Sequence, residues 1–341
     1  VGTGVTSQNW IYRGLIGHDY VDTSLDGDVN EGNLEIDDNF GSDVSISDDA
    51  TLMVVGARHG KGSSNQASSS GEVYLYKFDA GDFTNATLMG RIGKGYTGGL
   101  NINISTIGKD DKFGRSVSFD STGKRLAVGA TGDDGKGHGV VGAGAVYLIT
   151  FDDTSYDNGQ IVGVIGAGYN RSNTKDVNLL KQGVTEGPVV EASDLFGVSV
   201  ALDGDADVSA VGVFGDDGYN EKGSGAANTI EDSGSVFMIS FDDSDFTGGK
   251  VVSRIGNGYT QEEGYADSTC YTDAACASFT NDFNTRDHSD LIQKKNDRFG
   301  FGVTINHDGS LLAVGRINDD GKDDSINNVG AVNLFKFTDA G

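Results

Sequence analysis

Three Asp-Asp-Gly triplets hold the side chains best suited to chemistry: Asp133-Asp134-Gly135, Asp216-Asp217-Gly218 and Asp319-Asp320-Gly321. Each stands four residues after a glycine that ends an apolar run, namely Gly129, Gly212 and Gly315. Calcium takes about six to eight oxygens, and an acidic, glycine-turned loop with backbone carbonyls nearby is a donor set of that kind. The same triplet also makes a tight turn, in which Asp oxygens accept local amides and Gly supplies a positive φ. The candidate calcium ligands are therefore Asp133, Asp134, Asp216, Asp217, Asp319 and Asp320. The corresponding segment of the first unit reads Gly60-Lys61-Gly62, so a metal reading leaves that loop empty.

Other reactive side chains form no constellation. His18, His59, His138, His288 and His307 fall at unrelated positions of the repeat described below, which implies neither a metal triad nor an acid-base pair. There is no Gly-x-Ser-x-Gly elbow and no phosphate-cradling loop with its lysine. Catalytic and cofactor-binding residues are accordingly assigned nowhere. Cys270 and Cys276 lie close together in a polar segment, too few for a zinc site, and read as a local disulfide. With 51 Asp and Glu, two carboxylates brought together only in space would suit a glycan hydrolase or lyase, the alternative reading.

The charge balance narrows the partners. The net charge of -26 repels nucleic acid phosphates and anionic membrane surfaces. No apolar run approaches the roughly 18 residues of a membrane span. A protein ligand, a glycan ligand or further copies of the chain are the partners expected, with no nucleic acid and no membrane insertion. The acidity suits an extracellular or cell-surface setting rich in salt or calcium.

The elements that must position these residues follow from self-similarity. Asp-x-Phe-Gly recurs with Phe40, Phe113, Phe196 and Phe299, so four units begin near 38, 111, 194 and 297. Sixteen residues after each Phe comes a glycine ending an apolar run (Gly56, Gly129, Gly212, Gly315), then Gly-x-Val at Gly71, Gly144, Gly234 and Gly330. Seven residues further stands Phe78, Phe151, Phe241 or Phe337; three units continue to Ile-Gly-x-Gly-Tyr ending in Tyr96, Tyr169 or Tyr259. Each unit reads as four strands: A alternating, B apolar on both faces, C β-branched and aromatic, D after a polar turn.

The fourth unit stops after strand C, while an unassigned strand D lies at residues 10–17 and leads into Gly17-His18-Asp19-Tyr20. The expected fold is all-β: one β-propeller domain over 1–341, with four four-stranded antiparallel blades. The last blade would be completed by the N-terminal strand, either of the same chain, closing a ring, or of a neighbour, building a filament. Connections near 170–195 and at the insertion 260–296 are the long loops available for recognition.

Phe-Gly-x-Ser-Val, Leu-Ala-Val-Gly-Ala and Gly-Ala-Val-Tyr-Leu closely resemble the FG-GAP repeats of the integrin α-subunit propeller and its bacterial relatives, over almost the whole chain. The resemblance implies four-stranded blades, an extracellular setting, and calcium in the A-to-B hairpins. The hairpin turns here, SDDATL, DSTGKR, DGDADV and NHDGSL, do not copy that calcium loop. Four units are also fewer than such propellers usually hold, implying a smaller ring or a part of something larger. The function expected is a non-catalytic surface or matrix scaffold or adhesion propeller, stabilised by calcium and able to polymerise.

Overall fold

The computed structural model describes residues 11–20, 27–169, 175–180, 190–218, 230–259, 282–321 and 326–337. Strand β1 (Ile16–Gly17) pairs with β2 (Val29–Asn30). Blade one holds β3 (Phe40–Ile46), β4 (Leu52–Ala57), β5 (Glu72–Lys77), β6 (Thr87–Gly93) and β7 (Ile102–Asn103). Blade two holds β8 (Phe113–Phe119), β9 (Arg125–Ala130), β10 (Ala145–Thr150), β11 (Gln160–Gly166) and β12 (Val177–Asn178). Blade three holds β13 (Val200–Leu202), β14 (Val208–Val213), β15 (Ser235–Ser240), β16 (Lys250–Gly256) and β17 (Phe283–Asn284). Blade four holds β18 (Phe299–Ile305), β19 (Leu311–Arg316) and β20 (Ala331–Lys336). The chain is an all-β, four-bladed β-propeller, as the repeats predict.

Blades one to three each carry a fifth strand that the four-strand reading lacks. It pairs in parallel with strand D, as in Ile92↔Ile102, Ile165↔Val177 and Ile255↔Phe283. A recurrent Asp/Asn-apolar-Asn triplet builds it. The first side chain accepts a strand-D amide: Arg91 to Asn101 Oδ1 at 2.8 Å, Val164 to Asp176 at 3.0 Å, Arg254 to Asp282 at 2.7 Å. The last accepts from the Ile-Gly-x-Gly turn: Gly95 to Asn103, Gly168 to Asn178 and Gly258 to Asn284, at 2.8, 2.8 and 2.9 Å. Side chains thus satisfy amides that a two-residue parallel strand leaves open.

Blades pack in sequence through one repeated junction. Gly71, Gly144 and Gly234 each form a parallel bridge with the Phe of the next unit: Phe113, Phe196 and Phe299. The glycine ending strand B permits the close approach: a Cβ on Gly56, Gly129 or Gly212 would overlap the carbonyl oxygen of Gly114, Gly197 or Gly300 in the following blade. The core lies between blades, where Leu52, Val54, Val73 and Leu75 of blade one meet Phe113, Val117 and Phe119 of blade two. Aromatic tips close the outer hairpins: Phe83, Tyr156 and Phe246 pack edge-on against Phe78, Phe151 and Phe241, with ring centroids 5.0–5.1 Å apart.

One expectation is corrected. Among the described residues, 11–17 of this chain do not complete its own blade four, whose described sheet has three strands and ends at β20. The segment instead pairs with its own fifth strand, Ile16↔Val29 and Gly17↔Asn30, and Ile16, Val29 and Leu34 pack against Tyr74 and Tyr76 of blade one. The triplet Asp28-Val29-Asn30 explains this. Leu15 donates to Asp28 Oδ1 at 2.6 Å and Asp19 to Asn30 Oδ1 at 2.9 Å, the same clasp that holds strand D in the inner blades.

Candidate functional site

The chemistry-bearing carboxylates gather where strand B leaves for strand C, one per blade. In blade two Asp133 is buried, and its oxygens accept from the Gly135 amide at 2.7 Å, Tyr147 Oη at 2.8 Å and Tyr169 Oη at 2.9 Å. In blade three Asp216 is buried and accepts from the Gly218 amide at 2.5 Å, Ser235 Oγ at 2.7 Å and Tyr259 Oη at 2.6 Å. Position 237 is Phe where blade two has Tyr147, and the Ser235 hydroxyl makes the bond the missing phenol would have made.

Blade one has no Asp at this place, yet it has the site. Glu72, from the start of strand C, brings its carboxylate beside Gly60 and accepts from Tyr74 Oη at 2.8 Å and from Tyr96 Oη. In blade four Asp319 accepts from the Gly321 amide at 2.9 Å and forms an ion pair with Arg316 at 2.5 Å. Tyr96, Tyr169 and Tyr259 are therefore donors to buried carboxylates, a role the repeat spacing alone does not reveal. The signal was present as a covariation within the chain, because Gly60 goes with Glu72 whereas Asp133 goes with Ala145.

The second Asp of each triplet holds the loop. Asp134, Asp217 and Asp320 accept amides from Gly142 at 2.8 Å, Asp232 at 2.7 Å and Asn328 at 2.7 Å. The Asp of Asp-x-Phe-Gly is likewise a turn acceptor: Asp38, Asp111, Asp194 and Asp297 take the amides of Glu35, Gly108, Glu191 and Lys294 at 2.5–2.8 Å. Desolvation raises the pKa of Glu72, Asp133 and Asp216, and it pushes Asp111 up to about 6. Phenol and amide donors oppose that rise.

The six candidate calcium ligands thus come together only within their own triplets. Their side chains serve turns and buried hydrogen bonds. Among the described residues no group of three or more His, Cys, Asp or Glu is arranged to hold a metal ion. The Asp133 and Asp216 oxygens already accept amide, phenol and hydroxyl donors from their own blades. Cys270, Cys276 and most of the 260–296 insertion lie outside the described residues.

The family comparison agrees with this architecture. The FG-GAP repeat model matches residues 33–76 and 107–149, which cover β3–β5 and β8–β10 with their intervening loops. No curated protein matches the chain. Among solved structures, the Kuenenia stuttgartiensis hydrazine synthase aligns at 10% identity and TM-score 0.38 over 90% of this chain and 49% of that one. Saccharomyces cerevisiae Sqt1 aligns at 9% identity and TM-score 0.35 over 90% of this chain and 64% of that one. The chain thus spans about half of the first and under two thirds of the second. No helix among the described residues is long and apolar enough to cross a membrane. Two FG-GAP repeats therefore lie within this chain, which folds as a four-bladed β-propeller whose blade architecture carries on through units three and four.

Proposed function

We propose that this chain is a non-catalytic scaffold or adhesion propeller that works outside the cell or at its surface, with a protein or glycan as partner. One observation carries the reading: Asp133 and Asp216, buried carboxylates of raised pKa, already have their oxygens occupied by donors of their own blade. A glycosidase needs two carboxylates facing one substrate across an open space. Here the phenol-bound carboxylates Glu72, Asp133 and Asp216 belong to separate blades, and each is held by donors of its own blade. FG-GAP repeats and a net charge of -26 support the extracellular setting, and the same charge disfavours nucleic acid.

The direct test is to incubate the chain with a panel of neutral and acidic polysaccharides, following reducing ends and unsaturated products, and to run affinity electrophoresis through the same polymers. Retardation without product release is the outcome expected of a glycan-binding scaffold. Release that disappears on replacing Asp133 or Asp216 by Asn, in variants that remain folded, would overturn the reading.

A further inference from the structure

In a chain of net charge -26 a guanidinium has many carboxylates within reach, and most of those described take one. Arg13 pairs with Asp82 and Arg125 with Asp245. Arg91 lies over the Tyr74 ring at 5.0 Å and pairs with Glu31 at 3.1 Å; Arg254 lies over Tyr259 at 4.4 Å and pairs with Asp282 at 2.6 Å. Stacking on a ring face holds the guanidinium flat and leaves its in-plane N–H fork to a carboxylate. Arg115 over Phe301 at 5.5 Å and Arg298 over Phe214 at 5.4 Å are stacked in the same way, but neither pairs with a carboxylate among the described residues. Arg58 also lacks one, and the Nε atoms of Arg58 and Arg298 are buried with no hydrogen-bond partner. Arg91 and Arg316 leave Nε without an acceptor too, yet their terminal nitrogens reach Glu31 and Asp319.

These unpaired arginines meet at one end of the propeller axis, where the A strands begin. The A strands line that axis, β3 packing on β8, β8 on β13 and β13 on β18. Arg115 and Phe301 hold the same repeat position, directly after the Phe-Gly of blades two and four, yet their side chains touch. Side chains of non-consecutive blades come together in this way across the axis. Phe214, just after strand B of blade three, packs on Phe301 with ring centroids 5.9 Å apart. Arg58 holds the matching place after strand B of blade one, and its charge, behind desolvation, lowers the pKa of Arg115. Arg58 and Lys112 add to desolvation in lowering the pKa of His59. Every blade thus contributes to one cationic and aromatic cluster. Asp43 and Asp232 act on Arg115 and Arg298 through charge alone, and the Asp43 oxygens accept the Val44 and Val117 amides at 2.9 and 2.8 Å.

We propose that this end of the axis binds a small organic carboxylate, whose oxygens take the unpaired N–H groups of Arg58, Arg115 and Arg298 beside the Phe214 and Phe301 rings. A buried cation without a counter-charge is costly, and arginine cannot escape the cost by losing its proton. Elsewhere in this molecule the stacked arginines Arg91 and Arg254 resolve that cost with an internal carboxylate. At the axis the acceptor that completes the same arrangement has to come from outside the described cluster. The overall charge selects its size. An extended polyanion would set its further charges against the field of a chain carrying -26, whereas a small acid confines its charge to the arginines. The proposal goes beyond the scaffold reading and stands without it, because Asp133 and Asp216 take no part in this cluster.

The test is titration calorimetry of the wild type, Arg58→Gln, Arg115→Gln and Arg298→Gln with malonate and, separately, with polygalacturonate, at ionic strength fixed by sodium chloride. Malonate should bind the wild type saturably, and each variant should bind it about tenfold or more weakly, the loss of one charge-assisted hydrogen bond. Without malonate the variants should keep the wild-type melting midpoint, since each removes a cation that has no partner to lose. Absence of saturable malonate binding overturns the proposal. So does an affinity unchanged in all three variants, which would leave the arginines a packing role only. Binding of polygalacturonate without binding of malonate overturns it as well, by assigning the arginines to a polymeric partner. If Arg298→Gln disturbs folding, Arg298→Lys keeps the charge without the planar fork and should still weaken malonate binding.

Discussion

The carboxylate of Glu72 fills the space left by the missing side chain of Gly60: a Cβ on Gly60 would overlap Cγ and Cδ of Glu72. Blade one therefore keeps the buried acceptor of blades two and three but draws it from strand C instead of the B-to-C loop. Replacing Glu72 by Ala should orphan the Tyr74 and Tyr96 hydroxyls, at about 1–3 kcal/mol for each one left buried without an acceptor. The double variant Gly60→Asp with Glu72→Ala copies the Asp133 and Ala145 pair of blade two. It should recover most of that loss in urea denaturation. A double variant no more stable than Glu72→Ala would show that the two positions are not equivalent.

Acidity should stabilise this protein through its buried carboxylates. Asp203 is pushed up to about 7 and Asp111 to about 6, both chiefly by desolvation, and Asp133, Asp194 and Asp216 move in the same direction. A carboxyl whose folded pKa exceeds its unfolded value near 3.8 binds more protons when folded, so stability falls as pH rises through that interval. Lowering the pH from 8 to 5 should raise the melting temperature, helped by relief of self-repulsion in a chain of net charge -26. A midpoint that drops steadily over this range would contradict the assignment of these groups as buried acids.

Calcium should matter little to folding if Asp133 and Asp216 are held by phenols and hydroxyls. Melting with excess chelator and with millimolar calcium should then give the same midpoint, because only a ligand of the folded state raises stability. Asp133→Asn should destabilise in both conditions alike, since it weakens three hydrogen bonds independently of any ion. A midpoint that rises with calcium and loses that rise in Asp134→Asn or Asp217→Asn would restore the metal reading for these loops.

The four strand-B glycines should separate into two kinds. Ala at Gly129 or Gly212 forces a Cβ into the carbonyl oxygen of Gly197 or Gly300, an overpacking that costs about 1–3 kcal/mol. Gly315 meets only Gly302 backbone atoms, at 3.6 Å and beyond, so Gly315→Ala should leave monomer stability within about 0.5 kcal/mol. Equal effects at Gly129 and Gly315 on the melting of the dilute monomer would refute the distinction.

Repeat spacing in the sequence determined the number of blades, the order of strands A to D, and the core role of Phe113, Phe196 and Phe299, because each of those constraints acts within one unit and recurs in every copy. It also marked the Asp-Asp-Gly loops, though as turn or metal site without deciding between them. The fifth strands were legible in principle through Asp28-Val29-Asn30, Asp176-Val177-Asn178 and Asp282-Phe283-Asn284, but two residues are too short to show a strand period. Only the tertiary structure could reveal that Glu72 stands in for the Asp missing at position 60, because those positions meet through folding and not through spacing. Only it could show that residues 11–17 lie on blade one and leave the edge of blade four open. A strand's choice of partner depends on which surfaces the folded chain brings within hydrogen-bond reach, and no local pattern encodes that distance.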